Sequence, residues 1–404
     1  MPSPRRFDLI VVGAGPAGSA AAATAARAGL SVALVDKCDF PRHKLCGGGF
    51  TGRAMKAFRA AFAQDAPEAP YLTATSVSFG AFGREIGRYD DVPPIHMAMR
   101  QTLDAALFKA ATDAGAAPFT GTAPRDIDVS EPALTLGDLR LSATVMIGAD
   151  GVSSGVARAL YGRPFHPIQI GFALEAEFPP STAPDAPTEA SDPVVRIDFG
   201  AADWGYGWVF PKTCGTTVGV GGVHTRNPDM KAQMTRYLDG SGHPRDVRIK
   251  GQYLPFGAPR RVPGRNRVLL AGDAAGLVDP ITGEGIAYAL ISGRIAAEAA
   301  TAALRAGAPD TALARYRKGL RPTYRAIGHA RLIRPLLFQP RLRDGFIASF
   351  QRSETLKHDY LRMLAGETEY ADISRKLVAR LPRHFWRAIT LSRSERPDIA
   401  PPLP

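Results

Sequence analysis

From Phe7 to Val12 the chain is an apolar run, FDLIVV, interrupted only by Asp8, that leads straight into Gly-Ala-Gly-Pro-Ala-Gly. A run of that length, closed by glycine, predicts a strand buried on both faces. The stretch PAGSAAAATAARAG then predicts a helix closed by Gly29, and SVALVD a second buried strand, so residues 7–36 read as one strand–helix–strand unit. A second long helix is predicted over 97–114, ended by Gly115, and short alternating segments from 117 to 147 predict an antiparallel meander. TVMIGADG predicts a strand that runs into a turn. Between about 166 and 255 strands dominate: IGFALEAEF, PVVRIDFG, WGYGWVFPK and TTVGVGGV, with the Pro-rich segment 179–193 predicted as a loop. RNRVLLA at 265–271 restores the buried-strand pattern, and a long helix follows from about Gly283 to Leu304. The remainder, 306–404, predicts helices broken at Pro335, Pro340 and Pro382, with a Pro-rich tail.

The pattern therefore begins as α/β, passes through antiparallel β and returns to α/β. That order predicts a Rossmann-like nucleotide-binding domain built from 1–60, 95–165 and 250–305. A mixed or antiparallel sheet domain (61–94 and 166–249) is inserted in it, and 306–404 forms a helical C-terminal region. The length of 404 residues suits two interleaved domains.

Composition removes several function classes. The net charge of +12 suggests nucleic acid, but the arginines are scattered and no nucleic-acid-binding module is present, so no nucleic acid is expected. The charge is read either as a plain solvated basic surface or as attraction to anionic lipid headgroups or a pyrophosphate-bearing substrate. Cys38, Cys46 and Cys214 have no metal-type spacing and form no even disulfide set, so no metal is expected and the compartment is read as the reducing cytoplasm. No run of about 18 apolar residues predicts a membrane span, and FDLIVV is too short for a signal peptide after MPSPRR. Residues 331–351 mix Leu, Ile and Phe with Arg, which fits either a helix lying on the inner membrane surface or one packed on the nucleotide domain.

The chemistry starts at Gly13-Ala14-Gly15-Pro16-Ala17-Gly18, a G-x-G-x-x-G motif between strand and helix, with Asp36 closing the next strand. Gly13 permits the tight turn, Gly15 lets a pyrophosphate approach the backbone, and Gly18 lets helix and strand pack closely. The helix N-terminus offers free N–H groups to phosphate, and Asp36 is placed for ribose hydroxyls. This motif leaves NAD and FAD equally open.

Further along, Ala271-Gly272-Asp273 follows a buried strand, and Pro280-Ile281-Thr282-Gly283-Glu284-Gly285 opens a long helix; Gly148-Ala149-Asp150-Gly151 is followed by Ser154. With these motifs the chain resembles FAD proteins of the p-hydroxybenzoate hydroxylase fold. The resemblance implies FAD as cofactor. It places Asp273 at the ribityl–ribose region and the backbone of Gly283, Gly285 and Ile286 at the flavin ring. It also implies flavin contacts from Pro16, Ala17, Lys37, Arg100, Asp150 and Gly272.

Two segments narrow the family. Pro41-Arg42-His43-Lys44-Leu45-Cys46-Gly47-Gly48-Gly49 resembles the P-x-x-K-x-C-G-G-G signature of geranylgeranyl reductases, and Gly205-Tyr206-Gly207-Trp208-Val209-Phe210-Pro211-Lys212 resembles their Y-x-W-x-F-P-K element, with Gly219 and Gly221 on the next strand. The likeness covers roughly residues 5–310. Strand alternation puts Tyr206, Trp208 and Phe210 on one face, which suits either a core or a wall for an unsaturated hydrocarbon. Gly47, Gly48 and Gly49 leave room for a flat ring or prenyl chain against the backbone.

The resemblance implies an FAD-dependent reductase that saturates carbon–carbon double bonds of a prenyl chain on a lipid, quinone or pigment, with NAD(P)H or a small electron carrier as reductant. Cys46 is the first candidate at the reacting bond, with Lys44 beside it, and Tyr206 the second; Cys38 and Cys214 are read as structural. An aromatic monooxygenase or halogenase on the same fold is the alternative, and a silent flavoprotein acting as a lipid carrier a third. The sequence does not define the oligomeric state.

Overall fold

The computed structural model describes residues 5–165, 170–182, 192–373 and 375. The part of the Pro-rich loop at 183–191 and the expected break at Pro382 with its tail lie outside the described residues.

Four apolar runs line up as parallel strands, because a strand buried on both faces finds its partners only in the middle of a covered sheet. Arg5–Val12 lies between Leu139–Gly148 and Val32–Val35, and Val268–Leu270 extends the row beyond Gly148. Ala117–Phe119 adds a further parallel strand beside Val32–Val35. The register sets Val12, Val35, Gly148 and Leu270 in one row at the carboxyl edge. Gly13, Asp36, Ala149 and Ala271, which open the predicted motifs, thus leave the sheet side by side, where ligands of open α/β sheets bind.

The expected meander is narrower than its sequence range. Arg125–Asp128, Ala133–Leu136 and Leu139–Gly148 pair antiparallel, while Ala117–Phe119 joins the parallel row. The Ala-rich helix Pro16–Arg27 is buried along nine of its twelve residues. It packs against the helix Ile286–Arg305, where Gly293 brings the backbones so close that a Cβ there would lie 2.0 Å from the Ala17 carbonyl oxygen. Alanine is needed at such a contact because larger side chains would hold the helices apart.

The helix expected over 97–114 starts only at Arg100 and runs to Asp113. Met97 and Ala98 belong to the strand Ile95–Ala98, which pairs with Gly49–Phe50 and Tyr71–Ala74; both are buried in that small sheet, and this pairing overrides helical periodicity.

The second large sheet has seven strands. Lys250–Leu254, Gly171–Phe178, Gly215–Val223, Gly205–Lys212 and Val194–Phe199 run antiparallel in that order, and Ser76–Ala81 joins in parallel before Arg84–Tyr89 closes the edge. Lys250–Leu254 extends this sheet beyond the expected boundary at 249.

C-terminal helices cover the outer part of this sheet. Pro335 does not break the chain as expected: Arg321–Phe338 continues through it, because Leu337 and Phe338 are drawn into the core, and Pro340 opens the next helix, Pro340–Arg352. Ile333, Leu337, Phe338, Ile347 and Phe350 pack with Phe79, Ile197 and Phe199 of the sheet. The apolar side of 331–351 is thus buried against the second sheet, not the nucleotide domain. Leu332 and Leu342 are its exposed large aliphatics. Among the described residues no helix is long and apolar enough to cross a membrane.

Candidate active site

The carboxyl edge of the parallel sheet opens into a cavity of about 810 Å³ that runs between the two large sheets, within the roughly 300–1,000 Å³ typical of small-molecule sites. Gly13 has φ +97°, and a Cβ on it would sit 2.4 Å from the Ala149 carbonyl oxygen, so the first and third motifs touch through bare backbone. A Cβ on Gly18 would fall 1.6 Å from the Gly13 carbonyl oxygen. At Gly15, by contrast, only Arg42 Nη2 comes near, at 3.5 Å, and the helix that starts there has no side-chain cap. Its N–H groups are left facing the cavity, as a dinucleotide pyrophosphate requires.

Asp36 braces this turn: it accepts from the Ala14 N–H at 2.8 Å and the Cys38 N–H at 3.0 Å, and still lines the cavity. Arg100 also lines it, but its guanidinium is held in a two-pronged pair with Asp104, at 2.7 and 2.9 Å, one helical turn on. Arg42 joins Asp104 at 3.3 Å. Burial pushes Asp273 above the usual carboxylate range, with Lys44 and Arg100 pulling the other way, and burial pulls Lys44 down.

Pro16, Ala17, Lys37, Cys46, Gly47, Gly283, Gly285 and Ile286 all reach the cavity wall. Asp150 reaches it too, but its carboxylate is turned to the helix Gly155–Tyr161, where it accepts from Gly155 and Val156 N–H and from the Ser154 hydroxyl. It acts as a helix cap, the role such a residue takes when donors at a helix start are unpaired.

Gly18, Gly272, Gly48 and Gly49 are not at the wall. Gly272 packs on Ala17, where a Cβ would be 3.0 Å from the alanine methyl. The expected chain-facing role of Gly48 and Gly49 is corrected by the small sheet: Gly48, at φ +68°, backs onto the Ala98 carbonyl, and Gly49 pairs with Met97. Gly47 alone of the three lies in the cavity, under the Phe210 ring. Cys38, expected to be structural, is half-buried on the wall, and Cys214 is exposed in the turn before Gly215; neither has a core position because both sit in turns.

The opposite wall is Tyr206, Trp208 and Phe210, with neighbouring ring centres 5.9 and 6.2 Å apart. Gly219 lies across from Trp208, and a Cβ there would strike the indole at 2.2 Å, so the bare strand is what lets the ring lie flat. On the other face, the space at Gly207 is filled by Tyr237. The Tyr206 hydroxyl donates to the Thr282 carbonyl, tying the aromatic strand to the loop before Gly283, and burial pushes this phenol up. Cys46 Sγ faces the same space and accepts from the Gly48 N–H at 3.4 Å.

Lys212 and Glu284 stand within the motifs, which do not tell what these residues hold, and Glu175 and Arg53 lie outside them. Lys212, two positions beyond Phe210 and on the same strand face, donates to the Gly47 and Ala98 carbonyls. Glu175, 2% exposed, faces it from two strands away; burial pushes the carboxyl up and the ammonium down. Glu284, between the two loop glycines, accepts from the Thr51 hydroxyl, and burial pushes it up to about 7 against the pull of Arg53. Arg53 donates to the Tyr288 hydroxyl and the Met363 carbonyl, and Tyr370 donates to Asp279 Oδ1 at 2.8 Å, so the C-terminal helices clamp the 279–285 loop.

Known proteins match this geometry. A model of the "FAD dependent oxidoreductase" family matches residues 8–134. Geranylgeranyl diphosphate reductase of Rhodobacter capsulatus is 34% identical over 331 residues, covering 77% of this chain and 79% of that protein. The chain belongs to the geranylgeranyl reductase family of FAD-dependent oxidoreductases. Menaquinone reductase of Mycobacterium tuberculosis is 37% identical over 316 residues, covering 72% of this chain and 76% of that protein. The solved structure of a geranylgeranyl bacteriochlorophyll reductase-like protein from Thermoplasma acidophilum shares the fold, with a TM-score of 0.73 at 20% identity over 93% of this chain and all of that one. FAD is accordingly the cofactor of this family member, and the bare Gly13–Gly18 turn, the uncapped helix start and the half-buried Asp273 on the cavity wall fit it.

Proposed function

We propose that this oxidoreductase saturates carbon–carbon double bonds in a prenyl chain carried by a lipid, quinone or pigment, with NAD(P)H or a small electron carrier as reductant. The observation that carries the reading is one continuous cavity joining the dinucleotide turn at Gly15 to the aromatic wall of Tyr206, Trp208 and Phe210, with Cys46 between them. Relatives above 30% identity carry reductase names acting on prenylated compounds, which favours reduction over the monooxygenase or halogenase chemistry that shares this fold.

Bound and reduced, FAD supplies hydride, one of the two hydrogens that a double bond takes up; a proton completes the other carbon. The chain's own residues bind, align and exclude water. The dinucleotide would be held by the N–H groups of Gly15 and Ala17, by Asp36 and Lys37, and by the 283–286 backbone. The prenyl chain lies along Tyr206, Trp208 and Phe210, where burial of each methylene is worth about 0.8 kcal/mol. An isolated alkene has no carbonyl to take up charge, so alignment and dryness carry much of the rate. The Cys46 thiol holds the proton nearest the chain, and Tyr206 fixes the facing loop through Thr282.

Mass spectrometry of isoprenoid quinones and pigments from cells lacking the protein tests this reading. The expected result is loss of two hydrogens' mass for every bond normally saturated; unchanged prenyl tails in every class would reject it. Cys46→Ala should keep bound, reducible flavin while turnover falls about 100-fold, the scale of general acid catalysis; undiminished turnover would remove the thiol from the mechanism.

A further inference from the structure

The buried Arg53 and Arg100 and the half-buried Arg42 each meet a carboxylate. Arg334, near the end of the helix Arg321–Phe338, does not: its Nε and Nη2 are buried with no hydrogen-bond partner, and it forms no ion pair with any described residue. Its guanidinium carbon lies 4.4 Å from the ring centre of Phe256, 5.4 Å from that of Trp204 and 5.9 Å from that of Phe338. The Trp204 indole carries a second guanidinium, that of the exposed Arg226, at 4.9 Å, and its own Nε1 is also buried without an acceptor. Every unpaired atom in this cluster is a donor.

Rings offer a cation only their faces and accept none of its in-plane hydrogen bonds, so three buried N–H donors are left unanswered. Asp279 acts on Arg334 through space but forms no ion pair with it; its Oδ1 accepts from Ile281 and Thr282 N–H and from the Tyr370 hydroxyl. Burial and the neighbouring Arg331 and Arg226 pull the Arg334 guanidinium down to about 10. Trp204 adopts φ +51°, a left-handed conformation that a tryptophan takes only under constraint and that gathers at ligand clamps. The cluster is also next to the chemistry: Phe256 lines the main cavity, and the space a Cβ on Gly283 would fill is 3.8 Å from the Phe256 ring.

We propose that Arg334, Arg226 and Trp204 Nε1 form the seat of a phosphate-ester oxyanion on the substrate, whose chain passes Phe256 into the cavity. This rests on the prenyl-reduction reading and narrows it to carriers that bear phosphate, either a water-borne prenyl diphosphate or the headgroup phosphate of a lipid. Guanidinium forks suit such oxygens in number and plane.

The test uses FAD-loaded protein, wild type against Arg334→Gln and Arg226→Gln, with bound flavin as the check on folding. Inorganic pyrophosphate is titrated calorimetrically, and flotation is measured on phosphatidylcholine vesicles with and without phosphatidic acid. Wild type is expected to bind pyrophosphate or the phosphatidic acid vesicles, each variant at least about ten-fold more weakly. Pyrophosphate binding assigns the water-borne source, and binding to phosphatidic acid vesicles alone assigns the lipid headgroup. In parallel, the preference in kcat/KM for geranylgeranyl diphosphate over geranylgeraniol should fall by about the same factor in each variant if the source is water-borne. If wild type binds neither probe, or both variants bind as tightly as wild type, the site is refuted. Should Arg334→Gln lose its flavin, the exposed Arg226→Gln decides. Phosphate binding without turnover of any prenyl compound would refute the reductase reading and keep the anion site; turnover of alcohol and diphosphate alike, with no phosphate binding, would do the reverse.

Discussion

Removing the Lys212 ammonium should cost more than any surface charge in this protein, and the cost should depend on pH. Lys212 is 2% exposed and holds the Gly47 and Ala98 carbonyls, which fixes the Cys46–Gly47 segment against the aromatic strand. Glu175, also 2% exposed, keeps one carboxylate oxygen without a hydrogen-bond partner and faces that ammonium. Lys212→Met preserves the stem but leaves the buried acid without the ammonium that pulls it down, a loss of about 1–3 kcal/mol. The acid can relieve part of this by protonating. A carboxyl whose folded pKa is raised contributes its stability below the unfolded value and loses it as pH rises through the folded one. Burial already raises Glu175, and loss of Lys212 raises it further. The penalty of Lys212→Met is therefore expected to be small near about pH 5 and largest near about pH 8. Glu175→Gln in the same chain should restore about 1–3 kcal/mol. Urea unfolding of the holoprotein followed by circular dichroism measures all four corners of the cycle. Equal losses at both pH values, or additive single and double variants, would refute the pairing.

Three further outcomes follow from the same geometry. Gly18→Ala drives a methyl into the Gly13 carbonyl, so purified protein should carry little flavin, read from the ratio of flavin to protein absorbance; full occupancy would show that the turn yields. Tyr206→Phe removes the donor to the Thr282 carbonyl, a loss of about 1 kcal/mol that should weaken FAD binding roughly five-fold by fluorescence titration. Unaltered affinity would detach the aromatic strand from the cofactor loop. Glu284 is raised by burial to about 7 from an ordinary value of 4.5, so stability should fall as pH rises between these two values. Glu284→Gln should flatten the dependence of Tm on pH in that window, with an upper bound of about 3 kcal/mol; an unchanged slope would assign the titration elsewhere.

The strands and the dinucleotide turn were legible because their causes are local. An apolar run closed by glycine has few ways to fold, and Gly18 answers to a backbone contact within one unit, the Gly13 carbonyl, whereas the contact of Gly13 with Ala149 is long-range. The aromatic wall was legible from strand alternation; Lys212 stood in the same element, but what it holds, and Glu175 on a strand some 35 residues earlier, were out of reach. Asp104 could have been found from its i,i+4 spacing to Arg100. Met97 and Ala98 were misread because strand pairing at that point is settled by Gly49 and Leu72, far off in sequence. Gly48 and Gly49 were misread for another reason: the space at Gly48 is taken by the Ala98 carbonyl, and Gly49 is drawn into strand pairing with Met97. The C-terminal clamp on Glu284 and Asp279 carries no motif, because its contacts join residues about 90 apart or more.

The central claim is that flavin and prenyl chain share one cavity and that electrons pass to a carbon–carbon double bond without oxygen. The direct measurement is a single turnover in a sealed anaerobic cell: dithionite-reduced holoprotein is mixed with geranylgeranyl diphosphate, and flavin absorbance and product mass are followed together. The account predicts return of the oxidised flavin spectrum in step with a gain of two hydrogens by the chain. A flavin that stays reduced until air is admitted, with oxygen or halide then found in the product, would contradict it.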